Sequence, residues 1–197
     1  MTVPVHVRSI DYRAFRNGAD ALLVIGTLQD CRPWAAGSEA VERVHDMELR
    51  VTVGLDDLVI READARMHTF PHAECPAIEP VFRGLVGLGV ARGYTRAVQQ
   101  LFGGPAGCSH LEHLARSLGP VVIQAVTSER AMRVATGDAP DLISGTSSPW
   151  ARNTCHVWAD GGVALAKLEA GWRPGVGPYP SPPLDSFAPA RPHDAQP

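Results

Sequence analysis

The sequence predicts an α+β fold: an antiparallel sheet of about three to five strands with three or four helices packed on one face. Three observations carry this expectation. Strand-like segments come first, helical periodicity follows over residues 78–135, and Gly- and Pro-rich stretches separate the pieces.

Residues 1–20 read as irregular, with a turn at Asn17-Gly18. Residues 21–29 (ALLVIGTLQ) form a short, strongly apolar run, best read as a strand. Residues 30–44 hold Pro33, Gly37 and Ser38 and read as a loop. Residues 46–53 alternate, with Met47, Leu49, Val51 and Val53 against Glu48, Arg50 and Thr52, as a half-buried strand does. A turn at residues 54–57 returns the chain as a second strand over 58–65. Apolar residues at Ile78, Val81, Phe82 and Leu85 have helical spacing, as do Ala97, Val98, Leu101 and Phe102. A third helix carries Leu111, Leu114, Ala115 and Leu118, with Ser109 and Glu112 as a capping box. Gly119-Pro120 is expected to break or kink it before helix resumes over 121–135. Residues 136–149 read as a linker, and 153–159 with 163–168 as a last hairpin around Asp160-Gly161-Gly162. The expected organisation is one globular domain over 1–168 and a proline-rich, extended or disordered tail over 169–197.

The chain has 197 residues, of which 45% are hydrophobic, enough for one core. A net charge of −3 gives no basic footprint for nucleic acid. No run of about 18 apolar residues exists to span a membrane. The N-terminus lacks the basic start and apolar stretch of a secretory signal, so a cytoplasmic location is expected. The 17 Arg against one Lys, Lys167, reflect a genome preference more than a site.

Four cysteines are present, with no CxxC pair, so any thiol or metal site is assembled from distant segments. If Ser109 is the N-cap, Cys108 lies just before a helix N-terminus, where partial positive charge favours a thiolate. His110 could pair with it or bind the same ligand. Cys75 likewise precedes a helix, and two such thiols can converge on a metal. Period two places His45 in register with Met47, Leu49 and Val51, toward the core, and Asp46 with Glu48 and Arg50, toward solvent. Cys155 and His156 fall on an expected strand, so at most one of them joins a central site. Cys31 reads as structural, while the neighbouring Asp30 could accept a hydrogen bond from a ligand. His113 reads as solvated, and His6, His68 and His193 have no constellation around them.

Four ordered motifs add up to a resemblance: Val44-His45-Asp46-Met47, Cys75-Pro76, Gly107-Cys108-Ser109-His110-Leu111 and Asn153-Thr154-Cys155-His156. They resemble a bacterial family known as a domain of unknown function, over roughly residues 5–168. Its marks are His-Asp-Met, Cys-Pro, Gly-Cys-Thr-His-Leu and Asp-Thr-Cys-His. Two positions depart from it: His113 stands where the pattern has Glu, and Asn153 where it has Asp. In layout the chain also resembles the iron–sulfur cluster scaffold fold, an analogy that implies Asp46, Cys75 and Cys108 as ligands. Strand register ranks His45 ahead of Asp46.

The expected function is therefore a metal-dependent enzyme acting on a small organic molecule, as a hydrolase, hydratase/lyase or isomerase. Cys75 and Cys108, with His45, Asp46 or His110 as the third ligand, would hold a divalent metal, zinc before iron. His110 and His156 would move protons. Alternatives are a carrier or scaffold for metal, sulfur or an iron–sulfur cluster, and a metal-free Cys-His thiol enzyme. A structural domain with buried thiols is the bland alternative. Expected partners are a small-molecule substrate, a second copy in a homodimer, and a contact for the tail, with neither nucleic acid nor membrane.

Overall fold

Four antiparallel strands in sequential order, β1 (Val7–Asn17), β2 (Ala21–Arg32), β3 (Glu42–Gly54) and β4 (Ile60–Thr69), form the sheet. The computed structural model describes residues 4–35, 42–138, 151–172 and 179–187. The chain divides into two compact units, Met1–Val126 and Thr127–Pro197, and the fold is α+β.

The first unit is built on the period-two pattern. Along β2 the alternate residues Leu22, Val24 and Leu28 are buried, and so is Asp30, at 1% exposure. Cross-strand register aligns Ile10, Leu28, Met47 and Met67 in one row, and Tyr12, Gly26, Leu49 and Ala65 in the next. This face is the core side of the sheet.

Helix α2 (Ser109–Thr136) lies on it through Leu111, Leu114, Ala115, Leu118 and Val122, all with no exposed surface. Burying each leucine contributes roughly 1.5–3 kcal/mol. Two tyrosines fix the helix further. Tyr12 donates its hydroxyl hydrogen to the Leu114 carbonyl at 2.7 Å, and Tyr94 donates to that of Ala115 at 2.9 Å. Gly26 makes room for this arrangement, since a Cβ there would stand 2.5 Å from the Tyr12 ring.

The described segments depart from the sequence reading in several places. Residues 1–20 were expected to be irregular, yet β1 occupies 7–17 as an edge strand. Its sequence hides this, because Ile10 and Tyr12 alternate with charged residues on a strand that is exposed at all but one position. The loop expected over 30–44 is shorter, because β2 runs to Arg32 and β3 starts at Glu42.

Cys75–Leu85 is a 3-10 helix. Pro76 and Pro80 remove two of its N–H donors, so an α ladder cannot be sustained. Glu79 from this segment accepts the Met67 N–H at 2.7 Å on the open side of β4. Helix α1 (Tyr94–Phe102) forms where its spacing predicts.

In α2 the helix continues through Gly119-Pro120, because Tyr94 packs against Gly119 and the leucine stripe holds both sides. Ser109 is its first helical residue, and the Cys108 carbonyl accepts the Glu112 N–H at 2.8 Å. Cys108 is thus the N-cap itself.

In the second unit the expected last hairpin is absent. A 3-10 turn, His156–Trp158, and α3 (Val163–Glu169) take its place. Asn153 stands at φ 62° and exchanges side-chain bonds with Asp160, donating to its carboxylate and accepting its backbone N–H. These local bonds compete with strand pairing and close residues 153–160 into a loop. The expected linker over 136–149 lies mostly outside the described residues, from 139 onward. Of the proline-rich tail, residues 169–172 and 179–187 are described, with Glu169 ending α3, and Lys167 on α3 donates to Ser181 Oγ at 2.9 Å. No described helix is long and apolar enough to cross a membrane.

Candidate metal centre

Three strands and one helix end converge on a single buried carboxylate. Arg8 on β1, Asp30 on β2 and His45 on β3 are successive register partners, so their side chains share the core face. The pairing shifts between Asp30 and Cys31, where β3 inserts Val44, and again between Asp46 and Met47, where β4 inserts His68. These bulges flank His45 and aim it beneath the start of α2. The first turn of α2 supplies His110 from above.

Asp30 is crowded. Arg8 holds it in a two-pronged fork, Nε to Oδ1 and Nη2 to Oδ2, each at 2.7 Å. His6 Nε2 lies 3.0 Å from Oδ1. On the other side of the carboxylate, His45 Nδ1 and His110 Nε2 each lie 3.2 Å from Oδ2. The two imidazoles stack with ring centroids 3.8 Å apart. His45 Nδ1 is buried and has no hydrogen-bond partner.

Electrostatics follow from this crowding. The Arg8 guanidinium, with His6 behind it, holds the Asp30 carboxyl far below its ordinary value despite burial, so it is ionised throughout the neutral range. Burial, together with the adjacent His45, pushes His110 below its ordinary value, so its ring is neutral near pH 7.

A carboxylate offers about four lone-pair sites. Arg8 takes one on each oxygen and His6 a second on Oδ1. One site on Oδ2 remains for two ring nitrogens. A hydrogen bond satisfies one ring and strands the other, whereas a cation satisfies all three atoms. Ligand atoms about 2.1 Å from a common ion sit roughly 3.0–3.4 Å apart in tetrahedral or octahedral arrangement. Both nitrogen–oxygen separations of 3.2 Å fall in that range. Among the described residues, Asp30, His45 and His110 are the group whose ligand atoms lie within 4.8 Å of one another.

The other expected site residues are distributed as follows. Cys108 Sγ lies 3.7 Å from His110 Nδ1, on the side of the ring away from Asp30. Cys75 opens the 3-10 helix, half-buried, and is outside the three-residue group. Asp46 pairs with Gln29 on the opposite face of the sheet. There it is buried, not solvated, and accepts from Arg43 at 2.8 Å and Gln29 at 3.2 Å. His156 is exposed on its turn in the second unit.

Sequence reasoning gave His6 no constellation and passed over Arg8, yet both reach Asp30. The one available signal was Asp30 itself, an acid standing in the apolar register of Leu22, Val24 and Leu28. An open groove of about 330 Å³ runs beside β4, lined by Asp64, Ala65, Arg66, Met67, His68 and Glu79. It includes none of the three clustered residues.

The family described as Protein of unknown function (DUF2889) matches residues 6–124, a span that holds Arg8, Asp30, His45, Cys108 and His110. No curated protein and no solved structure matches the chain.

Proposed function

We propose that this chain, which belongs to the DUF2889 family, is a metal-dependent enzyme whose divalent ion is held by Asp30, His45 and His110. One observation carries the reading: two imidazole nitrogens face one carboxylate oxygen at ligand spacing, and one of them is buried without a hydrogen bond. Two histidines and a carboxylate suit zinc or iron(II) and leave positions open for water or substrate. Such an ion polarises a carbonyl or lowers the pKa of bound water to about 7. The reaction class is hydrolysis, hydration or isomerisation of a small organic molecule. In this reading His110 is a ligand, one of the two roles expected of it, and Asp30 stands in place of the expected thiolates.

Elemental analysis of protein purified without chelator and without oxygen tests this. One equivalent of zinc or iron is expected, lost in Asp30→Asn and His45→Gln and kept in Cys75→Ser. Metal-free wild-type protein that takes up neither ion on reconstitution would refute it.

A second reading rests on the 3.7 Å contact between Cys108 Sγ and His110 Nδ1. Here His110, oriented by Asp30, is the base for a Cys108 nucleophile and no metal is needed. Rapid iodoacetamide modification of Cys108, slowed in His110→Gln, together with turnover that survives chelation, would favour it over the first.

A further inference from the structure

Building on the metal reading, we infer that the ligand of this centre is a small oxyanion, a carboxylate or phosphate group, positioned by Arg8. Charge is the first argument. Arg8 and Asp30 cancel, the ring ligands bind metal in their neutral form, and no second acidic residue joins the group among the described residues. A divalent ion therefore leaves the centre with two uncompensated positive charges, which an anionic oxygen ligand offsets.

Access is the second argument. The side chains of His45 and His110 are each 17% exposed, whereas those of Arg8 and His6 are 38% and 50% exposed. An incoming molecule thus meets the Arg8 and His6 side chains of the site first. The third argument is the fork. Arg8 engages Asp30 through Nε and Nη2, which leaves Nη1 outside that pairing. Nη2 is 2.7 Å from the same Oδ2 that faces the two rings, so the guanidinium borders any ion held there. An oxyanion bound to the ion can accept from Nη1 at the same time, one oxygen on the metal and one on the guanidinium. Arg8 then has two roles: it holds Asp30 ionised, and it fixes the anionic end of the ligand.

The test uses the full chain stripped of metal, with cobalt(II) as the reporter ion. Cobalt uptake gives a visible absorption band and tests the metal reading by itself. Acetate and inorganic phosphate are then titrated separately. The wild-type band should shift saturably with at least one of them, and which one shifts it names the source of the oxyanion. Arg8→Lys keeps a cation against Asp30 but loses the second donor arm. It should take up cobalt and bind the anion about tenfold more weakly. Cobalt uptake with a band that neither anion moves would overturn the inference and leave the metal reading standing. Equal anion affinity in Arg8→Lys and wild type would also overturn it. No uptake in wild type would remove both.

Discussion

His45 Nδ1 lies 3.2 Å from Asp30 Oδ2 across the β2–β3 pair, buried and without a hydrogen bond. A buried polar atom left in this state carries a desolvation penalty of about 1–3 kcal/mol. Sheet register imposes the approach, because the two residues are direct partners on one face. The bulge at Val44 maintains it. A cation bound between the two atoms would offset that penalty.

Metal binding should raise thermal stability. An ion that binds only the folded chain stabilises it by about 4 kcal/mol at a thousandfold excess over its dissociation constant. Scanning calorimetry should show an upward shift in Tm with zinc that chelator reverses. Asp30→Asn and His45→Gln should show no shift, and Cys75→Ser the full wild-type shift.

Asp30→Asn should also weaken the metal-free fold. The substitution removes the carboxylate charge opposite the guanidinium and replaces one of the two acceptors of the Arg8 fork with an amide donor. Breaking a buried pair typically costs about 3–5 kcal/mol, and the partial exposure of Arg8 places this case toward the lower end. Urea unfolding checks it. A loss under about 1 kcal/mol would show that the fork contributes little.

Gly26→Ala should act at a distance on the centre. The new Cβ would meet the Tyr12 ring at 2.5 Å and Leu114 at 3.4 Å. Tyr12 must then give up its bond to the Leu114 carbonyl, one turn beyond His110 on α2. Overpacking of this kind costs about 1–3 kcal/mol. Metal affinity should fall with stability, because His110 is carried by the displaced helix. Isothermal titration on the folded variant separates the two effects.

Stability of the metal-free chain should fall in two acid limbs. His110 has a depressed pKa, so the folded chain binds fewer protons than the unfolded one. Its contribution is present above its ordinary value of 6.5 and is lost as pH falls below it. Asp30 is depressed too, so its contribution holds above 3.8 and is lost on further acidification. His110→Gln should remove the upper limb while a lower limb persists. Urea midpoints measured across that range would read this directly. A wild-type profile flat between pH 7 and 5 would contradict it.

Tyr94→Phe should cost about 1–2 kcal/mol in urea unfolding, and more than Tyr12→Phe. Tyr94 is 3% exposed, and its hydroxyl is bonded to the Ala115 carbonyl inside the core. Tyr12 is less buried, with its hydroxyl pushed up to about 12 by desolvation. Equal losses would mean that the two tyrosines anchor α2 alike.

Much of this architecture is written in local pattern. Alternation at Met47, Leu49, Val51 and Val53 determined β3 and its inward face, and with it the side on which His45 lies. The stripe at Leu111, Leu114 and Leu118 determined α2 and the face it buries. Such elements are legible because one period repeated over several residues buries one side.

Only the tertiary structure decided which residues meet. Arg8, Asp30, His45 and His110 come from four separate segments, and nothing within any one segment points to the other three. Arg8 sits on an edge strand whose exposed faces carry little apolar signal, and Asp30 is an acid in a row of buried leucines and valine. Sheet register, two bulges and the seating of α2 on Gly26 bring them within hydrogen-bond distance. Those are long-range steric facts with no period in the sequence. The last hairpin went astray for the opposite reason: bonds between Asn153 and Asp160 outcompeted a strand pattern that had no partner to fix it.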